Sequence, residues 1–450
     1  MSSEWNKVLL SELVTVKGGK RLPKGSTLQN QKNEHPYIRV RDMGGKYIPS
    51  QGLEFVPDEV FPTIQRYIVN ENDVIISIVG TVGLVSIIDA RISLASLTEN
   101  AAKLTGLDSK DAHYLYYYLK SDFGAIEISK RVVGAVQPKL PLYNIENIPV
   151  IWPGRESRSN IADLFCLLDD KITLAQQINQ TLEQMAQALF KSWFVDFEPV
   201  KAKMAALEAG GSQEDATLAA MTAISGKDAD ALAVFEREHP EQYAELQATA
   251  ELFPSAMQDS ELGDIPVTWE MGKLQDLLVL QRGFDLPSSA RKDGEFSLIA
   301  ASGPNGTHNV AMAKAPGVVT GRSGVLGKVY LTLEDYWPLN TTLWVKEFKR
   351  ATPCYAYELL RLLDMKAFNA GSAVPSLNRN HIHSLSYPLP PMELVNLFES
   401  SALLLHQRAH VNLKHSQSLA LLRDNLLPKL LSGEITLPEA EQAVSEAENV

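Results

Sequence analysis

The chain has 450 residues, 45% of them hydrophobic, and a formal net charge of −12. That length suits two or three domains with full cores; no apolar run approaches the roughly 18 residues of a membrane span, no signal segment is expected to open the chain, and the two cysteines, Cys166 and Cys354, read as isolated thiols of a cytoplasmic protein. The acidity is uneven: residues 196–265 carry 15 acidic and 4 basic side chains, whereas residues 1–155 carry 16 and 18 and residues 266–390 carry 10 and 13. Two mildly basic stretches therefore flank an acidic one, so the net charge does not exclude a nucleic-acid partner.

In chain order, residues 1–153 read as a mixed α/β domain. The β-branched run Asp73–Ile88 predicts strands around a glycine turn, and Tyr114–Ser121 predicts a helix. A turn at Pro138 precedes a strand-like segment ending at Pro153. Residues 154–198 contain no proline, and Ile161, Phe165, Leu168, Ile172, Ala175, Leu182 and Leu189 recur in steps of three, four and seven. That spacing predicts a helix of about 55 Å with a coiled-coil seam, interrupted by Asn179. Residues 199–262 are rich in Ala and Glu, with helix-like pieces at Lys201–Glu208, Asp228–Glu238 and Gln242–Leu252; a partly helical acidic connector or a docking element is expected.

Residues 263–390 read as a second mixed domain, with strands in Gly317–Leu331, a helix in Tyr355–Met365 and a turn at Pro375. Residues 391–435 predict a second long helix, with Phe398, Leu405, Leu419, Leu426 and Leu430 on its stripe and Asn412, Ser416 and Arg423 as polar entries. The acidic tail 436–450 is expected to fray.

The halves repeat each other. Gly134–Trp193 returns as Gly371–Leu430, displaced by 237 positions without a slip: Pro138 falls on Pro375, Leu140 on Leu377, Pro153 on Pro390 and Leu168 on Leu405. Gly19, Leu22 and Pro23 match Gly283, Leu286 and Pro287, and Gly80 and Gly83 match Gly324 and Gly327. A period this long implies two homologous domains. The expected fold is α+β: two homologous mixed α/β domains joined by two long helices that bury each other's stripes as an antiparallel coiled coil, with a pseudo-twofold repeat.

Catalytic signatures are missing. Gly321–Lys328 has one residue too many for a phosphate-binding loop, and its counterpart Ile78–Val85 has no lysine. His406 and His410 have zinc-protease spacing, but Gln407 stands where the glutamate base would be. His381 and His383 alternate on what reads as a strand, where a polar surface pair is the simpler reading than a metal site. An adenine-methyltransferase motif and a glycine-rich cofactor loop are also lacking. Such a chain positions or recognises something.

The pattern resembles the specificity subunit of type I restriction–modification enzymes over nearly the whole chain. The resemblance is carried by Ile148–Leu168 running into Asp169–Ile172, by Leu189–Lys203, by Ser260–Leu274, and by Arg423–Ile435; the segments before the two helices, Pro153–Glu156 and Pro390–Glu393, depart from the family pattern. The resemblance implies two target recognition domains, each reading half of a bipartite asymmetric sequence in double-stranded DNA, with the helix pair as ruler and platform for two methyltransferase subunits. Restriction (translocase) subunits would join them. S-adenosylmethionine, ATP and Mg2+ would be bound by those partners, and this chain would bind no cofactor or metal and have no turnover. Half-sites about 34 Å apart, one turn of B-DNA, would suit such a ruler.

Phosphate and base contacts favour Lys, Arg, Asn and His in loops. The candidates are Lys17, Lys20, Arg21 and Lys24, then Arg39, Arg41 and Lys139 in the first domain; the second offers Arg282, Arg291, Lys292, Arg322, Lys328, Asn378, Arg379 and His381. The alternatives are a scaffold whose domains bind proteins, and an enzyme with unfamiliar motifs.

Overall fold

The computed structural model describes residues 5–369 and 374–448; Gly371, the repeat partner of Gly134, lies outside them. The chain divides into two compact units, Met1–Gln176 with Lys414–Val450, and Gln177–Leu413. Each unit therefore holds one mixed domain and a stretch of both long helices.

In the first unit β1 (Lys7–Leu9) pairs antiparallel with β9 (Pro149–Ile151). β2 (Thr15–Gly18), β5 (Val74–Ser77), β6 (Val85–Ile87) and β8 (Ala101–Thr105) form an antiparallel sheet in the order β2-β8-β5-β6. β3 (Pro36–Ile38), β4 (Glu54–Phe55) and β7 (Ser96–Leu97) form a second sheet in the order β4-β3-β7, with β3 and β7 parallel. The unbroken apolar run of β5 follows from its burial on both faces. Val74 and Ile76 point into the core beneath the helix Ser109–Lys120, and Ile75 into a separate core shared with Ile38 and Leu97.

The helix Ser109–Lys120 starts where Asp108 accepts the Asp111 N–H at 3.0 Å. Its tyrosines carry the domain's junctions. The Tyr114 hydroxyl donates to the Ile151 carbonyl at 2.8 Å, the Tyr118 hydroxyl to the Pro149 carbonyl at 2.9 Å, and the Tyr117 hydroxyl to the Asp169 carboxylate at 2.5 Å. The first long helix, Arg155–Phe194, is anchored near its start by Arg158, which forks onto Asp111 at 2.8 and 3.1 Å. Ile161, Phe165 and Leu168 are fully buried with Leu419, Leu426 and Leu430 of the second long helix, Met392–Ser432, and Ile172 packs at the edge of this core. Arg423, a polar entry on the stripe, donates to Asp169 at 2.7 Å.

The tail corrects the expectation of fraying. Leu437–Glu448 is a helix, and its Ala440 and Val444 are buried in the same core. Thr436 and Glu439 cap it, the Thr436 N–H donating to the Glu439 carboxylate at 2.7 Å.

The second unit repeats the design. β10 (Met257–Gln258) and β11 (Ile265–Pro266) form a short pair, and β12 (Glu270–Lys273) pairs with β20 (Ser386–Leu389) as β1 does with β9. β13 (Leu278–Arg282), β16 (Gly317–Gly321), β17 (Val329–Thr332) and β19 (Thr342–Phe348) lie in the order β13-β19-β16-β17. β14 (Phe296–Ala300), β15 (Gly303–His308) and β18 (Tyr336–Pro338) lie in the order β15-β14-β18. Apart from the β10–β11 pair, this is strand for strand the topology of the first domain.

Here the two long helices run antiparallel, Asn179 meeting Asn412 and Phe190 meeting Phe398. The seam differs from its expected form. Asn179 donates to the Ala409 carbonyl at 2.9 Å and accepts from Asn412 at 3.1 Å, so its polar entry is satisfied within the pair. Leu182, Leu189 and Leu405 are only half-buried. Ala186, Phe190, Trp193 and Phe194 take the deep positions, because Phe398 and Tyr355 offer an aromatic cluster with centroids 5.0–6.5 Å apart.

Residues 199–262 are largely helical. Four helices, Glu198–Glu208, Gln213–Ser225, Ala229–Glu238 and Pro240–Glu251, include Gln213–Ser225, which helical patterning did not single out. Ala220, Met221, Leu232 and Ala250 form a small core among them.

On the helix that carries Tyr355, Pro353–Leu362, Glu358 is buried, 3.3 Å from Arg361 and 4.0 Å from His406. Burial raises its carboxyl to about 7 against the pull of Arg361, and burial, then Arg361, lowers His406 to about 4.

Phe398→Ala is expected to destabilise the chain by about 3–5 kcal/mol in equilibrium denaturation; a loss below about 1 kcal/mol would show that the cluster closes over the gap. Glu358 has a folded pKa above its unfolded value near 4.5, so its contribution is full below about pH 4.5 and is lost as pH rises through about 7. Glu358→Gln is therefore expected to match the parent near pH 4 and to exceed it by on the order of 2 kcal/mol at pH 8. Equal stability of the two proteins at both pH values would contradict this.

Candidate nucleic-acid interface

In each domain the end of the first strand, the start of the last and the turn between the middle two fall on one edge of the four-stranded sheet. In the first domain these are the ends of β2, β8, β5 and β6; in the second, those of β13, β19, β16 and β17. The chain leaves β2 through Gly19, whose N–H donates to the Ala101 carbonyl at 3.0 Å, while the Lys20 N–H donates to Leu97 at 2.8 Å. Gly283 donates to Thr342 at 3.0 Å and Phe284 to Pro338 at 2.8 Å in the same way. Only glycine fits these two positions. A Cβ on Gly19 would fall 2.0 Å from the Thr98 carbonyl oxygen, and one on Gly283 would fall 2.3 Å from that of Leu339.

The glycine turn is tied to the same edge. The Asn100 carbonyl accepts from Ile78 at 2.8 Å and Val79 at 3.3 Å; the Thr341 carbonyl accepts from Arg322 at 2.8 Å and Ser323 at 3.0 Å. Gly80 and Gly83 have φ of 83° and 89°, and Gly324 and Gly327 have φ of 85° and 82°, as such turns require. A third segment completes the edge: the Leu140 N–H donates to Ile78 at 2.9 Å, and the Leu377 N–H to Arg322 at 2.9 Å. The two domains thus share these backbone bonds and differ in the side chains the frame carries.

Several sequence candidates gather here. Arg21, Lys24 and Arg39 border an open cavity of about 430 Å³ with Tyr37 and Asn100. Lys17 is exposed on β2, Lys20 lies 5.7 Å over the Tyr67 ring, and Lys139 is bridged to Val79 beside the glycine turn. In the second domain Arg282 ends β13, and Arg322 and Lys328 flank the turn.

Some candidates are already engaged, Arg39 at the cavity among them, and others are placed elsewhere. Arg39 and Arg41 both meet Glu54, Arg41 at 2.9 Å. Arg291 and Lys292 lie by the second sheet, where the Lys292 N–H donates to His308 of β15 at 3.1 Å. Asn378 accepts the Asn380 N–H at 3.0 Å as the cap of a short helix, Arg379–His383, on which Arg379 and His381 are exposed. That helix replaces the strand expected for His381 and His383: Asn378 starts it, and buried Ile382 docks it. His383 is occupied structurally, its Nε2 accepting the Leu280 N–H at 2.9 Å, and burial lowers its pKa.

Sequence reading missed the partners. Arg21 donates through Nε to Glu99 at 2.6 Å, 78 residues away. The Glu99 carboxyl is pushed up by burial, but hydrogen bonds, foremost from Arg21, hold it below its ordinary value. At the matching positions Asp285 accepts from Asn340 and, at 3.0 Å, from Arg282. The spacing of Gly19 and Gly283 was a usable signal, since it sets Arg21 against Asp285.

Residues 2–184 match the family model of the type I restriction modification DNA specificity domain. The chain is 29% identical to the HindI specificity subunit of Haemophilus influenzae, over 91% of this chain and 93% of that one. It is 24% identical to the MjaIX specificity subunit of Methanocaldococcus jannaschii, over 44% and 45%. Its fold is similar to the crystal structure of a type I restriction–modification S subunit from M. genitalium, with a TM-score of 0.53, 15% identity, and 96% and 97% of the two chains covered. Two domains of one topology, their shared loop frame and these likenesses agree: residues 2–184 carry a type I restriction modification DNA specificity domain, and the chain is similar along nearly its whole length to a type I specificity subunit.

Proposed function

We propose that this chain is the DNA-reading, non-catalytic subunit of a type I restriction–modification complex. The observation that carries this reading is the pair of loop edges with one backbone and two sets of side chains. A reader of two different half-sites needs this combination: the same approach to the double helix, made twice, with different base-facing chemistry. The mildly basic domains and the acid gathered in residues 196–265 fit a DNA face kept apart from a solvated or protein-facing segment.

The long helices support a second role, as a platform for two methyltransferase subunits. Apart from the stripe they bury, they expose apolar side chains at heptad-like spacing. In the second unit Leu404 is 67% and Val411 56% exposed; in the first, Leu174 is 55% and Leu421 65% exposed. Apolar side chains repeated along a solvated helix face suit packing by partner helices. Restriction subunits would join through that assembly. S-adenosylmethionine, ATP and Mg2+ would then serve the partners' chemistry, while this chain selects the sequence.

Co-expression with its modification partner in an unmethylated host is expected to place N6-methyladenine at one bipartite, gapped motif, mapped by modification-sensitive sequencing. Methylation that persists without this chain, or its absence from a stable complex with a competent partner, would refute the reading. Leu404→Glu and Leu421→Glu change exposed positions, so they are expected to leave thermal unfolding within about 0.5 kcal/mol of the parent while weakening capture of the modification subunit more than about tenfold. Undiminished capture would remove the helices from the interface.

A further inference from the structure

The shared frame isolates one place where the two domains present opposite hydrogen-bonding chemistry. Arg21 and Asp285 stand two residues beyond the collision-fixed glycines, Gly19 and Gly283, and each meets the residue that leads into the last strand of its sheet, Glu99 or Asn340. Both sit at the solvent, Arg21 with 80% and Asp285 with 65% of its side chain exposed.

In the first domain Glu99 takes only the Nε of Arg21. The two terminal guanidinium nitrogens are left for another acceptor, and the Glu99 bond fixes the plane of the fork. A planar pair of donors matches the O6 and N7 acceptors of guanine in the major groove. In the second domain the arrangement is reversed. Asn340 gives an amide hydrogen to Asp285, and Arg282 donates to both Asp285 oxygens at 3.0 and 3.2 Å. The Asn340 carbonyl oxygen and the remaining lone pairs of Asp285 form an acceptor edge. Acceptors pair with the exocyclic amine of adenine or cytosine.

We propose that Arg21, held by Glu99, reads a guanine in one half-site, and that Asp285 with Asn340 reads an amino-bearing base, adenine or cytosine, at the matching place in the other. This rests on the DNA-reading function proposed above and names residues that set its specificity. On one loop frame the place changes from a cation whose terminal nitrogens are open to an anion held by an amide and an arginine. The side chain at this place is free of the packing that fixes the glycines, so it can change from one target sequence to another.

The test uses the full chain co-expressed with its modification partner, with Arg21→Ala, Asp285→Ala and the exchange Arg21→Asp with Glu99→Asn, and methylated motifs read by sequencing. Arg21→Ala is expected to relax a guanine preference about tenfold or more at a single position of one half-site, leaving the other half unchanged. Asp285→Ala is expected to relax a single adenine or cytosine position in the other half. The double exchange is expected to move the first position from guanine towards an amino-bearing base. An unchanged motif in all variants would overturn the proposal. So would uniform weakening of a half-site with a salt slope lower by about one, which marks a phosphate contact. Failure of the unmodified chain to direct methylation would overturn the underlying reading as well, and the wild-type control separates the two cases.

Discussion

Neither long helix can bury its own apolar face, and the rest of the molecule is arranged around that constraint. A helix of 40 residues with leucine, isoleucine and phenylalanine along one side is not stable alone in water. The second supplies the missing surface, and each mixed domain then closes over its share of the pair. Polar interruptions of the seam are matched in place: Asn179 by Asn412, Arg423 by Asp169. Asp169 also accepts from Tyr117, so one carboxylate ties the helix pair to the domain in the first unit. In the second unit rings do the same work, Phe190 and Phe194 lying against Tyr355 and Phe398. Matched places in the repeat thus use unlike chemistry for one mechanical purpose.

The loop edges show the opposite economy. Their backbone bonds are held constant, and two collision-limited glycines keep the first loop pressed onto the strand beside it. Rigid support under variable side chains is what recognition by a loop requires, since a mobile loop would lose in ordering entropy what it gains in contacts.

Patterns that follow chain spacing were readable before the fold was known. The repeat, the long helices and the strands of Asp73–Ile88 rest on periodicity that burial imposes directly. Contacts between distant segments were not readable. Arg21 is a loop cation in the sequence and a fork held by Glu99 in the structure; Arg39 and Arg41 are half neutralised by Glu54, beyond any local pattern. The helix Gln213–Ser225 buries small residues, Ala216 and Ala220, whose apolar signal is weak. The final helix is different, because its capping pair, Thr436 and Glu439, was in plain view three residues apart. His381 and His383 alternate as strand residues do, but a cap at Asn378 and one buried isoleucine decide for a turn of helix.

The way the chain is partitioned has a consequence for inheritance. The second unit is one uninterrupted segment, Gln177–Leu413, while the first is assembled from both ends of the chain. Both borders fall inside the long helices, where no sheet is cut. Two genetic crossovers within the codons of those helices would therefore exchange a complete reading module and return an intact seam, provided the heptad phase is kept. Such an exchange would change one half-site and leave the other as it was, without the many coordinated substitutions that remodelling a single binding surface would take.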